Sequence, residues 1–235
     1  MLKMITVLKN RMTASRMIRM SKRQIVSTIS EYEVLNLFSG IGGNRKLWSG
    51  PVKVTSVEND SEIAAVYKKL FPGDELIEMD AIKFVETIDL TDFDIIVACP
   101  PCTTHSTFSR FQGVKVPDLK TLYGLKIYFD YNFGGKYIIE NVNPWYSMPI
   151  KPNAKLGRHY IWSNFYIPRK EFPTTDIKTL SRKQLLRLYD FDENLELPGD
   201  KLRKRQIVRN CLEPEIGLYL LQQAMLETQS LEVFQ

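Results

Sequence analysis

The sequence is poor in cysteine and has no long hydrophobic run. Three cysteines among 235 residues, Cys99, Cys102 and Cys211, are too few for a disulfide framework, and no pair of them has the spacing of a structural zinc site. The most apolar stretch, residues 93–98, has the length of a buried strand and falls far short of the roughly 18 residues that cross a bilayer. We therefore expect a protein of the reducing cytoplasm, with no metal and no membrane partner.

Acidic residues are absent from the first 30 positions, which carry seven Lys and Arg residues. The remaining positions hold 25 basic and 27 acidic residues, a net charge of −2, so the total of +5 belongs to the N-terminal segment. We predict that residues 1–30 form a basic, disordered leader and that residues 31–235 form one domain. The leader fits a phosphate-binding arm, a dispensable extension or an Arg-rich transit peptide.

Strands and helices alternate from residue 32 onward, which predicts an α/β fold with a mostly parallel central sheet and helices on both faces. With 44% hydrophobic and 25% charged residues, a chain of this length buries a substantial core. The predicted strands are 33–38, 52–58, 75–78, 93–98 and 137–140, with one or two more in 158–167. The predicted helices are 61–70, capped by Asp60, 119–132, 181–189 and 213–229.

A glycine-rich turn follows the first predicted strand in VLNLFSGIGG, residues 34–43, and we expect a short helix after it. Such a turn lets backbone N–H groups approach a nucleotide-like ligand, although glycines also serve tight packing. Glu58 ends the next strand, where a carboxylate can accept from both ribose hydroxyls, and Asp80 follows the third, placed to accept from an adenine amino group. The glycine spacing differs from that of dinucleotide binders, and no cation stands where a pyrophosphate would need one. The pattern therefore favours an adenosine ligand without phosphates.

Two further strand ends carry chemically reactive side chains. Cys102 follows a buried strand in DIIVACPPCTTHS, residues 94–106, on a loop above the carboxyl edge of the sheet, where ligands bind in open α/β folds. Glu140 ends another apolar strand at the same edge. An exposed loop thiol is a candidate nucleophile, whereas Cys99, nearer the strand, is expected to pack in the interior. An inert loop cysteine and a capping or ion-paired carboxylate are the plainer alternatives.

Together, this thiol and this carboxyl fit the activation of cytosine. A thiolate that adds to C6 of the ring makes C5 nucleophilic enough to attack an electrophilic methyl group. Glu140, as a carboxylic acid hydrogen-bonded to N3 and the exocyclic amine, would stabilise the charge that develops there. Arg158 is the candidate cation near O2.

The order of these motifs resembles that of the C5-cytosine DNA methyltransferases over residues 32–220. NLFSGIGG, VEND, DA at 80–81, ACPPC and IENV are similar to the family's first, second, third, nucleophile and glutamate motifs, and TLSRKQLLRLYDFDEN and RQIVRNCLEP to its ninth and tenth. The resemblance implies a class I S-adenosylmethionine-dependent methyltransferase fold, Rossmann-like, with residues 31–235 as the catalytic domain. It also implies methyl transfer from S-adenosylmethionine to C5 of a cytosine flipped out of double-stranded DNA, in a restriction–modification setting.

The resemblance assigns roles to single residues. Cys102 is implied as the nucleophile, Glu140 as the acid at N3, and Arg158 as the second arginine of the eighth motif. Asn141 is implied to support the loop that bears the cysteine. The expected substrate contacts are Asn141, Thr103 and Ser106, and the expected cofactor contacts are Phe38, Ser39, Gly40, Gly42, Gly43, Glu58, Asn59, Asp80, Ala81, Pro101, Asn210 and Cys211.

The sequence departs from the family's pattern at four places. Thr103 stands where the family usually has Gln, Leu156 replaces the first arginine of the eighth motif, and an extra residue precedes Asn210. Only about a dozen residues, 168–179, separate the eighth and ninth motifs, where members that select a target sequence carry a long variable region. Target selection is therefore expected to be low or to come from a separate specificity subunit. The basic run 201–209 is expected either to hold phosphates or to form a solvated face.

Three other functions compete with this interpretation. A structured RNA substrate is the nearest, because the double proline before Cys102 is similar to the tRNA-methylating branch of the family, although the residues after the cysteine do not match that branch. A catalytically silent DNA-binding subunit is the second. A zinc deaminase is disfavoured because its second ligand position would be His105 and because His159 has no Glu two residues on. His105 is instead expected on the loop surface, in contact with substrate or solvent.

Overall fold

The computed structural model describes residues 31–106, 110, 111, 113 and 116–226. The predicted leader, residues 1–30, lies outside the described residues, so its assignment stays a prediction. Within the described chain, one seven-stranded sheet has the strand order β3-β2-β1-β4-β5-β7-β6. Its strands are β1 (Tyr32–Leu37), β2 (Val52–Glu58), β3 (Glu75–Glu78), β4 (Ile95–Ala98), β5 (Lys136–Val142), β6 (Ala154–Leu156) and β7 (His159–Ser163).

The sheet is parallel except at β7 and β6. Because β1 pairs in parallel with β2 and β4, and β4 with β5, these strands end at one edge, where Leu37 lies opposite Val57 and Ala98. β7 runs antiparallel to β5, with His159 opposite Val142. The beginning of β7 therefore meets the ends of the parallel strands at the same edge of the sheet.

Helices cover both faces of this sheet. They are α1 (Ser61–Leu70), α2 (Ala81–Thr87), α3 (Leu119–Asn132), α4 (Arg182–Leu188), α5 (Lys201–Arg209) and α6 (Pro214–Met225). Alternate residues of a strand point to opposite faces, so Leu35 packs with Phe129 of α3 in one apolar cluster and Val34 with Leu220 of α6 in another. No helix of the described chain is both long and apolar enough to cross a membrane. The predicted α/β fold with a mostly parallel sheet is confirmed.

A third, smaller cluster joins the C-terminal helices to the glycine-rich turn. It contains Leu185 of α4, Val208 of α5, Ile41 of the turn and Val66 of α1. The chain after the sheet thus returns to the turn that follows β1, which brings sequence-distant motifs to one end of the molecule.

Most predicted elements are confirmed, and the differences have local causes. β2, β3, α1 and α3 have the predicted bounds, and the Asp60 side chain caps α1 by accepting from the Glu62 and Ile63 backbone N–H groups. The short helix expected after the glycine turn is wrong. After Gly43 the backbone forms successive turns instead, in which Arg45 N donates to the Gly42 carbonyl oxygen at 3.1 Å and Trp48 N to that of Arg45 at 3.0 Å. Helices α2 and α5 and strand β6 were not predicted.

Candidate active site

A cavity of about 460 Å³ lies at the carboxyl edge of the parallel strands. Its walls come from the glycine-rich turn, the ends of β2, β4 and β5, the start of β7, and the segment between α5 and α6. Nearly all predicted site residues line it, namely Phe38, Ser39, Gly40, Gly43, Glu58, Asn59, Asp80, Ala81, Pro101, Cys102, Glu140, Arg158, Asn210 and Cys211. Four predicted contacts, Gly42, Asn141, Thr103 and Ser106, are not brought to its wall.

Gly42 and Gly43 both allow close packing around the turn, but only Gly43 also lines the cavity. A Cβ on Gly42 would lie 2.2 Å from the Phe71 ring, so this glycine allows close packing behind the turn, and the expected cofactor contact does not form part of the cavity. Gly43 does line the cavity. Phe38, which lines the cavity directly after β1, has a φ of +56°, a left-handed conformation that is rare for a bulky residue.

Glu58 is held in place by backbone N–H groups at the end of β2. Its Oε2 accepts from Gly40 N at 2.9 Å, and its Oε1 accepts from Asn59 N and Asp60 N, each at 3.0 Å. A carboxylate offers about four acceptor positions, so roughly one remains on Oε2. In this conformation Glu58 has room for one ribose hydroxyl, where the sequence suggested two.

Two other polar side chains on this wall fit a nucleoside ligand. The buried Ser39 Oγ has no hydrogen-bond partner among the described residues, although it lines the cavity, and a ligand that supplies a partner removes this cost. The Oδ1 of Asp80 caps α2 by accepting from Ile82 N and Lys83 N, at 3.1 and 3.0 Å. Because that cap occupies Oδ1, only Oδ2 of Asp80 is available to a ligand.

Cys102 begins a short 3-10 turn, Cys102–Thr104, directly after the two prolines that end β4. Burial, and then the negative charge of Glu140, raise the pKa of its thiol, while Arg158 and Arg209 oppose the shift. The thiol is therefore protonated in this state at neutral pH. It becomes a nucleophile only when the negative charge beside it is reduced or a base removes its proton.

Two side-chain hydrogen bonds hold the loop that bears Cys102. Asn141 is buried, and its Nδ2 donates to the Pro100 carbonyl oxygen at 3.0 Å, which agrees with the support role that the resemblance implied. Trp145 Nε1 donates to the Thr104 carbonyl oxygen at 3.0 Å. Thr103 is exposed, and Ser106 forms a β-bridge with Pro144 after β5; their roles as substrate contacts stay predictions.

His105, which follows the same 3-10 turn, is buried and does not lie on the loop surface. Its side chain is 1% exposed, and its Nδ1 lies 2.6 Å from the Tyr146 hydroxyl. The expectation that it contacts substrate or solvent is wrong, because the 3-10 turn directs the side chain into the protein. Burial lowers the pKa of this imidazole.

Arg158 lines the cavity, but its guanidinium is already engaged. Its Nε donates to Glu213 Oε1 at 3.1 Å, and one terminal nitrogen donates to the Tyr189 hydroxyl at 3.0 Å and the Cys211 carbonyl oxygen at 3.3 Å. Leu156, at the position of the missing first arginine, is fully buried in the core. The eighth-motif segment therefore offers one cation to the site, and Glu213 orients it.

His159 and Glu213 are the site residues that the sequence interpretation missed. His159 Nδ1 hydrogen-bonds to Glu140 Oε1, and its Nε2 to Glu213 Oε2. Burial opposes a charge on the imidazole, but the two carboxylates raise the pKa of His159. Burial likewise opposes the charge on Glu213, yet His159 and Arg158 lower its pKa to about 2. The only sequence signal was the His that directly follows Arg158.

The basic run 201–209 forms α5, and part of its charge is neutralised within the chain. Arg203 pairs with Asp60 and Glu62, at 2.7 and 2.6 Å. Arg205 donates to the carbonyl oxygens of Leu180 and Lys178. The capacity of this helix to hold phosphates therefore rests on its remaining cations, Lys201 and Lys204 among them.

These features define the class of the protein. A seven-stranded sheet with one reversed strand pairing to β5, a glycine-rich turn after β1 and an acidic residue at the end of β2 are the parts of a class I S-adenosylmethionine-dependent methyltransferase. Residues 32–143, which contain the turn, Cys102 and Glu140, match the family model described as C-5 cytosine-specific DNA methylase. Over that segment, just under half of the chain, the protein is similar to this family, and the similarity implies S-adenosylmethionine as the methyl donor.

Two solved structures share the fold over most of the chain. The Entamoeba histolytica methyltransferase EhMeth superposes with a TM-score of 0.51 at 14% identity, covering 82% of this chain and 97% of its own. A mutant of Spodoptera frugiperda DNMT2 gives a TM-score of 0.56 at 14% identity, covering 82% of this chain and 99% of its own. At this identity the likeness extends to the fold alone. No curated protein matches the sequence.

Proposed function

We propose that this protein transfers a methyl group from S-adenosylmethionine to C5 of cytosine in double-stranded DNA, through a covalent bond between Cys102 and C6 of a flipped-out base. The observation that carries the proposal is that Cys102 and Glu140 lie on the wall of the same cavity as Glu58 and the glycine-rich turn. A nucleophile, an acid and a nucleoside-binding edge within one cavity are what this reaction requires.

The cofactor side of the cavity suits an adenosine-based molecule. When bound, S-adenosylmethionine supplies the electrophilic methyl group. Glu58 would accept from a ribose hydroxyl, Asp80 from the adenine amino group, and Ser39 would gain the partner it lacks. The remaining predicted contacts, Phe38, Gly40, Gly43, Asn59, Ala81, Pro101, Asn210 and Cys211, complete this side.

On the substrate side, each residue has a separate role. The Cys102 thiolate adds to C6, and Glu140 donates a proton to N3 so that the negative charge on the ring is neutralised. Arg158, held by Glu213, stabilises charge at O2. The transfer requires a reduced Cys102, so we also place the protein in the cytoplasm, where thiols stay reduced.

Target selection is the part that this chain leaves to a partner. Between the end of β7 at Ser163 and the start of α4 at Arg182 there is no room for a long target-reading region. We therefore propose that the enzyme by itself methylates DNA with low sequence selectivity, and that a separate specificity subunit directs it to a target in a restriction–modification system. Phosphate contacts from Lys201 and Lys204 would position the duplex without reading its sequence.

The test is to incubate the full chain with labelled S-adenosylmethionine and, in parallel, a DNA duplex of mixed sequence and a structured RNA. We expect 5-methyl-2′-deoxycytidine in the DNA digest. Label only in the RNA would reverse the choice of substrate. A chain that binds S-adenosylmethionine but labels neither nucleic acid would overturn the proposal in favour of a silent binding subunit. Cys102→Ser, shown by circular dichroism to be folded, should transfer no label.

A further inference from the structure

His159 joins two carboxylates that lie far apart in the sequence. Its two ring nitrogens contact Glu140 and Glu213, and its side chain is only 2% exposed. Glu213 also receives the guanidinium of Arg158. An imidazole fixed at both nitrogens by carboxylates can hold two protons, and it can release one from Nδ1 while it keeps the other on Nε2.

The charges of the His159 imidazolium and of its neighbours Glu140, Glu213 and Arg158 cancel. Two carboxylates, one imidazolium and one guanidinium carry no net charge together. Such a neutral, mutually hydrogen-bonded group tolerates burial better than any of its members alone. The titratable and charged groups around this cluster are Glu140 on β5, Glu213 before α6, Arg158 before β7, Cys99 after β4, Cys102 in the 3-10 turn, Tyr189 after α4, Arg209 at the end of α5 and Cys211 between α5 and α6.

We propose that His159 is the source of the proton that Glu140 delivers to cytosine, an inference that rests on the proposed function. Cys102 first loses its thiol proton to solvent water, and addition of the resulting thiolate to C6 leaves a negative charge on the ring. The Nδ1–H bond of His159 breaks as an O–H bond forms on the Glu140 carboxylate, and Glu140 then passes this proton to N3. The base adduct and the imidazole end neutral, and Glu140 ends as a carboxylate again.

Glu213 is the positioning residue in this scheme. Glu213 accepts a hydrogen bond from the Nε2–H group of His159 and so keeps a proton on Nε2 throughout the cycle. Nδ1, which faces Glu140, is then the nitrogen that loses and regains a proton. When the methylated C5 loses its proton to solvent water and the C6–S bond breaks, N3 returns its proton through Glu140 to the same Nδ1. The orientation of Glu213 is in turn fixed by Arg158, which contacts its other carboxylate oxygen.

The first test needs no activity, because the chain contains only two histidines. Nitrogen-15 labelling of histidine gives two imidazoles to titrate by NMR, and the Nδ1 and Nε2 signals missing from His159→Asn identify His159. We expect His159 to titrate above the ordinary value of about 6.5 and His105 below it. In Glu213→Gln the titration of His159 should move down. A His159 that stays neutral at and below pH 6.5 would overturn the proposal.

The second test is the pH profile of a single turnover in wild type and His159→Asn. The Asn amide can still donate to Glu140, but it does not titrate. We expect a rate loss of about 10²-fold, with the KM for DNA little changed, and loss of the alkaline limb that wild type shows as His159 deprotonates. A variant with the wild-type rate and profile would reduce His159 to a structural hydrogen bond. If His159→Asn does not fold, the imidazole signals that remain in His105→Gln assign His159, and the NMR titration of wild type decides.

The two proposals fail in different ways. A wild-type chain that methylates neither DNA nor RNA refutes the proposed function, whatever the NMR titration shows. A chain that methylates DNA while His159 is neutral keeps the proposed function and refutes the proton source.

Discussion

Gly43, in the turn after β1, lies directly against Cys211, in the segment before α6. A Cβ on Gly43 would stand 2.5 Å from the Cys211 Cβ and 2.9 Å from the Leu212 carbonyl oxygen, closer than packed atoms allow. The contact joins two cavity walls that lie more than 160 residues apart in the sequence. The shape of the cofactor side therefore depends on this close approach.

Substitution Gly43→Ala should separate these walls. We expect the free energy of unfolding to fall by about 1–3 kcal/mol, the usual cost of overpacking, and binding of S-adenosylmethionine to weaken. Thermal denaturation and titration calorimetry measure the two effects. Gly73→Ala is the matched control, because a Cβ there meets nothing within 4 Å, and its stability should change by less than about 1 kcal/mol. Equal effects of both substitutions would refute the importance of the contact.

Asn141→Asp tests the support of the catalytic loop. Aspartate can still accept from the Val142 N–H group, but it cannot donate to the Pro100 carbonyl oxygen. A buried carbonyl left beside a carboxylate costs about 1–3 kcal/mol, so we expect the methylation rate to fall by roughly tenfold or more. The KM for S-adenosylmethionine should stay nearly constant. Asn143→Asp, at an exposed position two residues on, should keep the rate within about twofold.

The stability of the chain should depend on pH through Glu213. Its pKa is lowered to about 2 in the folded state from an ordinary value of about 4.3. A carboxyl with a lowered pKa stabilises the fold above its ordinary pKa, and this contribution is lost as the pH falls through about 2. The difference corresponds to about 3 kcal/mol in wild type. Thermal denaturation of Glu213→Gln between pH 5 and 2 should show a shallower decline than that of wild type.

His159 should produce the opposite limb of the same curve. Because its pKa is raised in the folded state, its contribution is complete below about pH 6.5 and is lost as the pH rises through the folded value. Stability from this cluster is therefore greatest between about pH 4.3 and 6.5. Glu193→Gln, which removes the partly exposed partner of Arg187 far from this cluster in the sequence, is the control and should leave both limbs in place. Parallel curves for wild type and Glu213→Gln would contradict the account.

The cations of α5 should differ in their effect on DNA binding. Within the described residues Lys201 and Lys204 have no carboxylate partner, whereas Arg203 is paired with Asp60 and Glu62. Replacing both lysines by Gln should flatten the plot of log affinity against log salt by up to about 2, since each phosphate contact contributes about 0.9 to the slope. Arg203→Gln should leave the slope almost unchanged. An unaltered slope in the double variant would refute the phosphate role.

The sequence was sufficient for the parts of the fold that local rules determine. Asp60 and Asp118 cap α1 and α3, and apolar residues recur three or four positions apart in both helices, so their bounds were predictable. Helix α2 was missed because its cap, Asp80, resembles a ligand-binding carboxylate. Helix α5 was missed because residues 201–209 were interpreted only as a basic run, and Asp200 was not recognised as the residue that caps a helix.

The candidate site, like the fold, was predictable only where local sequence patterns determine it. Cys102 and Glu140 follow strands whose direction the pattern predicts, so their meeting at one edge was predictable. The contact of His159 with Glu140 depends on the antiparallel register of β7 on β5, and the contact with Glu213 on how α6 packs. These are tertiary relationships across 19 and 54 residues, and no local pattern encodes them.

The most direct test of the central claim is covalent trapping on 5-fluorocytosine. Fluorine at C5 blocks the elimination that normally frees the enzyme, so methyl transfer through a thiol adduct leaves a stable complex. With S-adenosylmethionine and a 5-fluorocytosine DNA duplex, wild type should form a complex that resists denaturation, and mass spectrometry should locate the bond at Cys102. Absence of a complex with DNA, together with full methylation of an unmodified duplex, would contradict the covalent mechanism.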